Sequence, residues 1–560
     1  MESQEPKVAV SSPLVPLMYS NRVVLKTILE CGDDEIGLFG KTVVVGGWVK
    51  SSKEVKREPV AAPLKPPAVT QAFPASSGPK DVTCVEMVQS RIPFFRTIIR
   101  VFGGSISTPS VREKLEPSIP KPPPPSKFYL QINDGSCVSS LMVVIDSAIV
   151  PVSASQVLPT GTCVLAQGVL EKPSTHGKQT IELKVEKVLH IGTVEPDTYP
   201  LSRKKLPLDS LRDFSQIRPR TTTVASITRI RNALDFATHT FFQNHGFLHV
   251  QVPIITTTDS EGFSEKFQVT TLLENTSKKG EAVTALRPDY NEDFFGRQSY
   301  LTVSGRLHLE SYACALGNVY SFGPRFRAEK TVSLKQVAEM WIVEVEMAFT
   351  QLEDSMKCAE DCFKFLCRWI LDRCSQDMKF VSKRIDKNVV HRLEYMISCS
   401  YEKISYREAV EILRKVTDKA FETQLRWGVP LTAEHLSYLA DDHYKKPVII
   451  YDFPKAVKPF YVRLNDDGKT VAAFDLVVPK IGRVITGGQS EERFDMLTTR
   501  IKEFDLSRDQ YEWYQDLRRH GTVKHSGFSL GFDLMVLLTT GLTDVRDAIP
   551  FPRTHGKSIN

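Results

Sequence analysis

A chain of 560 residues is too long for one hydrophobic core, so two or more domains are expected, and 41% hydrophobic with 25% charged residues is ordinary for a globular protein. No apolar run approaches the ~20 residues that span a bilayer, and ten cysteines without a Cys-x-x-Cys pair or zinc spacing argue against a membrane protein, a disulfide scaffold and a metal finger. A net charge of +6 permits a polyanionic partner without requiring one.

The first residues, MESQEPKVAVSSPLVP, carry Glu2 and Glu5 and lack a basic-then-apolar order, so no secretory or transit leader is expected and a cytoplasmic location is predicted. After an extension over 1–40, KTVVVGGWVK (Lys41 to Lys50) alternates as a strand. The ladder is expected to stop there. A Pro-rich insertion over about 51–126, ending in KPPPPS, suits a mobile or polyproline segment, in which RIPFFRTIIRVF (Arg91 to Phe102) could dock or form a helix. Strands resume in FYLQINDGSCVSSLMVVID, with Asp134-Gly135 marking a hairpin turn, and in GTCVLAQGVLEKP and TIELKVEKVLHIG, split by a turn at Ser174 to Gly177. Five short strands over 41–195 suit a closed barrel of the oligonucleotide-binding (OB) type, with any small all-β barrel as the open alternative.

A basic, proline-punctuated hinge over 196–220 follows, and then an amphipathic helix over 224–245 with Ile227, Ile230, Leu234, Ala237, Phe241 and Phe242 in its core stripe. Beyond it, strand patterns (FLHVQVPIITT, SYLTVSG, NVYSFGPRFRAE, WIVEVEMAFTQ, KPVIIYDFP, TVAAFDLVVP) mix with helices, notably Glu353 to Arg373. The fold class is therefore α+β, the second domain covering 221–560.

Three segments, FFQNHGFLHVQVPIITTTDSEG, YLTVSGRLHLESYACALGNVYSFGPRFRAE and HSGFSLGF, stand in this order behind the barrel and the hinge. The chain closely resembles the class II asparaginyl-tRNA synthetases, related to the aspartyl enzymes, from about Lys41 to Arg553 outside the insertion. The resemblance implies an antiparallel catalytic sheet flanked by helices, an anticodon-binding barrel, and a homodimer formed around the long helix and Pro253. It also implies ATP and Mg2+ as cofactors and ligation of L-asparagine to tRNA(Asn). Among site residues it implies that Arg327 binds the α-phosphate as the catalytic arginine, with Glu329 on the adenine amino group. Glu344 and Glu265 would bind the amino-acid substrate, Thr486 would lie at the nucleotide and metal, and Phe128 would stack an anticodon base. Two residue-level alternatives stay open: Arg327 and Glu329 as a surface ion pair, and Phe128 as a barrel-core aromatic. Lys50, Lys53, Lys172 and Lys178 are candidate phosphate contacts.

Several positions depart from the family pattern. Arg306 replaces a substrate-contacting glutamine, and Gln336 and Met340 replace a phosphate-contacting histidine and an adenine-stacking phenylalanine. Arg483 replaces a magnesium-ligating glutamate, Ser490 replaces the arginine that reads the substrate amide, and Leu534, after Asp533, replaces a triphosphate-clamping arginine. Losing one preorganised donor costs about 10²–10³ in rate, so the resemblance leaves a catalytically lapsed, tRNA- or partner-binding paralogue as the alternative function. Compensation would need several geometries at once, with Arg483 lying on the phosphates in place of magnesium and Arg325 taking over part of the clamp.

Overall fold

The structure, a computed structural model, describes residues 14, 16–30, 37–56, 126–150, 152–173, 180–202, 206–262, 264–272, 289–330, 333–417 and 419–556. The expectations for Arg91 to Phe102, for the turn at Ser174 to Gly177 and for Lys178 lie outside the described residues.

Five strands close a barrel in the order β1-β2-β3-β5-β4: β1 (Thr42–Lys56), β2 (Ser126–Asn133), β3 (Leu141–Asp146), β4 (Cys163–Glu171) and β5 (Glu182–Gly192). Strict alternation of buried and half-buried residues along β4 and through most of β2 fills the interior, where Phe128, Leu130, Ile132, Val143 and Ala166 meet. The first strand does not stop near Ser51. It bulges between Val49 and Ser51 and runs on to Lys56, because Ser52 to Lys56 find ladder partners on β2, from Leu130 to Ser126. Its polar outer half gives no apolar alternation, so this extension carries no hydrophobic signal. Asp134 and Gly135 do lie between β2 and β3, but the connection takes seven residues, with Asn133 and Asp134 accepting from the Gly135 and Ser136 amides. Val23, Leu25, Ile28 and Leu38, from the stretch before residue 41, complete the barrel core.

The larger part is built on an eight-stranded sheet. Short strands β6 (Leu248–His249), β7 (Ile255–Thr256), β8 (Gln268–Val269) and β9 (Ser299–Leu301) precede β10 (Asn318–Phe326) and β11 (Glu339–Ala348). Then come β12 (Glu402–Ser405), β13 (Val448–Pro454), β14 (Thr470–Val478), β15 (Gly482–Gln489) and β16 (His525–Gly531). In the order β12-β13-β14-β15-β16-β11-β10-β6, the six inner strands pair antiparallel and one parallel strand closes each edge. Strands β7, β9 and β8 form a separate small sheet.

Period-2 alternation gives the large sheet two unlike faces. Val343, Val345, Phe474, Leu476, Ile485, Phe528 and Leu530 join the main core, together with Ile227, Ile230, Leu234, Phe241 and Phe242 of the helix Thr222–Asn244 and with the helix Leu352–Arg373. The other face is polar. Ser321, Glu344, Ser529, Thr486 and Asp475 stand directly opposite one another on β10, β11, β16, β15 and β14, so register alone draws five chemistry-bearing residues into one row.

Barrel and sheet are tied through the hinge. Lys50 donates to the Arg220 carbonyl, Arg229 reaches the Gly135 carbonyl at 2.6 Å and Asp377 at 2.6 Å, and Arg212 forks onto Asp547 at 2.8 and 2.7 Å.

Candidate active site

At the end of β10 the chain turns away from the sheet, and Arg327 projects beside the polar row. Its guanidinium donates to Glu261 at 2.6 Å and lies 3.6 Å from Glu329. Burial opposes its charge, but Glu261 and Glu329 outweigh burial and hold it protonated more firmly than usual. Glu329 also accepts from Gln336 at 2.6 Å. Arg327 and Glu329 remain about one-third exposed, open to a ligand.

Inside the row, Glu344 is enclosed. One carboxylate oxygen accepts from the Ser304 hydroxyl at 2.5 Å and the Gly305 amide at 3.1 Å, and the other from Gly305 at 2.9 Å and from Arg325 at 2.9 and 2.5 Å. Burial would raise the Glu344 pKa, but Arg325, Ser304 and Gly305 reverse the shift and keep it ionised. Gly305 is required: a Cβ there would lie 2.4 Å from Val252, 2.9 Å from the Arg325 guanidinium and 3.0 Å from Glu344.

One step along the same face, Glu346 accepts from Arg306 at 2.8 Å and from Ser490 at 3.1 Å. His525 lies 3.5 Å from Glu346 and 3.4 Å from Glu310, which also pairs with Arg518 at 2.5 Å. Burial opposes protonation of His525, but Glu310, Cys314 and Glu346 outweigh it and push its pKa up to about 10. Glu310, Glu346 and His525 are spaced like metal ligands. Yet each carboxylate already holds a guanidinium and the imidazole is an imidazolium, so the trio is a buried charge cluster.

At the far end of the row, Asp475 is buried between two cations. The Lys458 ammonium lies 2.6 Å from one oxygen and 3.4 Å from the Thr486 hydroxyl, and the Arg483 guanidinium lies 3.6 Å from the other oxygen. Burial would raise the Asp475 pKa, but Lys458 and Arg483 hold it below the usual carboxylate range. A hard divalent ion needs oxygen ligands at ~2.0–2.6 Å and negative charge around them. This carboxylate is claimed on both sides by positive groups, so the residues do not fit Mg2+.

With this geometry in hand, comparison with known proteins decides the family. A model of class II tRNA synthetases (D, K and N) matches residues 210–555. The chain is 48% identical to the Arabidopsis thaliana protein named asparagine–tRNA ligase, cytoplasmic 2, over 98% of this chain and 97% of that one. The chain belongs to the asparagine–tRNA ligase family of class II tRNA synthetases. Asparagine–tRNA ligase of Protochlamydia amoebophila is 45% identical over 77% of this chain and 91% of its own. A crystal structure of Pyrococcus horikoshii asparaginyl-tRNA synthetase complexed with asparaginyl-adenylate shares the fold, with TM-score 0.70 at 23% identity over 96% of this chain and 99% of that one.

Against the ligase-family expectations, the structure redistributes several residues. Arg325 does not reach toward a phosphate clamp; it is 3% exposed and spent on Glu344, whose saturated oxygens leave it no free acceptor for a substrate amide. Arg306 and Ser490, separate departures in the sequence, meet on the same carboxylate, Glu346. Among the described residues the buried Arg306 Nε–H has no hydrogen-bond partner. Gln336 supports Glu329, whereas Met340 and Leu534 pack against the main core. Asp533 receives Arg231 and the Trp341 amide, at 2.8 Å for the latter. Glu265 is exposed, and its carbonyl accepts from Ala328 at 3.0 Å. Thr486 is exposed beside Lys458.

Phe128 takes the core alternative: at 3% exposure its ring fills the barrel and offers no stacking surface. The exposed aromatic on β1 is Trp48, with the Arg220 guanidinium 5.8 Å from its ring centroid. Lys50 is engaged at the hinge, while Lys53 and Lys172 are exposed. Sequence reasoning missed Glu261, Lys458 and Asp475. Only Asp475 carried a signal, as a lone carboxylate inside the apolar run VAAFDLVV.

Proposed function

We propose that the chain is an asparagine–tRNA ligase that activates L-asparagine with ATP and transfers it to tRNA(Asn), in the cytosol and as a homodimer. The observation that carries this reading is 48% identity to the cytoplasmic plant ligase along nearly the whole of both chains. The partly exposed Arg327–Glu329 pair beside the polar row supports it. In the first step the asparagine carboxylate attacks the α-phosphorus of ATP and pyrophosphate leaves. Arg327 donates to the α-phosphate oxygens as charge builds on them, and Glu329 accepts from the adenine amino group. Glu261, bonded to Arg327, fixes its direction. In the second step the terminal ribose hydroxyl of the tRNA attacks the adenylate carbonyl and AMP departs.

The hold of Arg325 on Glu344 favours a second reading, a lapsed paralogue that binds tRNA without activating asparagine. Pyrophosphate exchange with ATP separates the two, since it tests activation without tRNA. Exchange that depends on asparagine and not on aspartate is expected for the ligase. Absence of exchange with either amino acid, in a chain that still binds tRNA(Asn), would establish the lapsed form.

A further inference from the structure

The cluster at the end of the polar row has an unusual charge balance. Asp475 contributes one negative charge with its side chain 3% exposed, and Lys458 and Arg483 contribute two positive ones. The Lys458 ammonium is enclosed, with its side chain 8% exposed, and is fixed by Asp475, Thr486 and the face of Phe453, 3.9 Å away. Arg483 differs: its side chain is 55% exposed, and only one edge of its guanidinium turns to Asp475. A guanidinium has five N–H donors in a fixed fork, so most of its donor capacity faces solvent over the sheet. Glu261, which holds Arg327, also favours the charged form of the Lys458 ammonium.

We infer that this cluster binds the polyphosphate of a nucleotide without a divalent ion bound to the protein: Lys458 fills the place beside Asp475, and the Arg483 guanidinium supplies the phosphate contact. The inference rests on the ATP-using reading above and specifies how that site carries its charge. A fork of N–H donors matches phosphate oxygens in a bidentate pair, whereas a metal in the same place would stand against two cations. Free ATP, with its full negative charge, is therefore as good a ligand as its magnesium complex.

The test is titration calorimetry of the full chain with ATP and, separately, with inorganic tripolyphosphate, each in Mg2+ and in EDTA. Wild type, Arg483→Glu and Arg483→Met are compared after thermal melts confirm folding, which a half-exposed side chain should leave unchanged. Wild-type ATP affinity is expected to change by less than about threefold between EDTA and Mg2+. Arg483→Met should lose about tenfold under both conditions, and Arg483→Glu should lose more in EDTA and recover when Mg2+ is added. Wild-type binding that weakens about tenfold or more in EDTA would overturn the inference while leaving the ATP reading intact. Tripolyphosphate binding that needs Arg483 but not Mg2+, without ATP binding, would leave a metal-free phosphate cradle but overturn its assignment to a nucleotide. Absence of binding by both probes would remove the phosphate cradle altogether.

Discussion

Arg325 shows how one side chain redirects another. A carboxylate on the polar face of β11 would present acceptors to a ligand, but a guanidinium two positions past Gly323 on β10 consumes them. Such a pair costs desolvation at both ends, and breaking it from one side leaves an uncompensated charge, a loss of about 3–5 kcal/mol. Arg325→Thr is therefore expected to lower the melting temperature while freeing Glu344. Asparagine with ATP should then stabilise the variant more than wild type, and KM for asparagine in pyrophosphate exchange should fall by about tenfold. Equal stabilisation of the two proteins by asparagine would show that Glu344 reads no amide.

Among elements, the polar cluster around His525 pins three together: Glu310 lies on the helix Arg306–Leu316, Glu346 on β11 and His525 at the start of β16. Arg306 and Arg518 share its carboxylates, and Cys314 also faces the imidazole. A histidine whose folded pKa is about 10 exceeds its unfolded value of ~6.5, so its stabilisation is complete below pH ~6.5 and is lost as pH rises towards 10. The loss can reach about 1.4 kcal/mol per pH unit within that window. Thermal melts between pH 7 and 10 should fall more steeply for wild type than for His525→Gln; parallel curves would show that the imidazole is neutral in the fold.

For the whole molecule, the helix Thr222–Asn244 and the segment after it leave apolar surface uncovered: Phe236 is 64% exposed, Leu248 52%, Ile254 43% and Ile255 41%, flanking the exposed Pro253. Exposed apolar side chains on a long helix and the segment that follows it suit a two-fold interface. Sedimentation at micromolar concentration is expected to give a dimer, and Leu248→Asp with Ile254→Asp a folded monomer. A wild-type monomer would remove the homodimer from the proposed function. Among the described residues no helix is long and apolar enough to cross a membrane.

Segments whose pattern is local were legible in the residues alone. The 222–244 helix shows its stripe, alternation marks β4 because burial on one face repeats every second residue, and β14 shows as an apolar run because it is buried along nearly its whole length. The ordered motifs identify the family, since they mark fixed places along one chain. The polar half of β1 was illegible, because its ladder partners come from a strand some 70 residues later and polar residues leave no periodic trace. Partnership in the site was illegible for the same physical reason. That Arg325 turns inward to Glu344, that Arg306 and Ser490 converge on Glu346, and that Lys458 meets Arg483 across Asp475 follow from strand register and from the shortage of buried counter-charges. The sequence by itself determined which ionisable groups this protein has and which family it belongs to. Only the tertiary structure decided which of them are consumed by one another and which are left to meet a ligand, because a buried charge takes whatever opposite charge packing brings within reach.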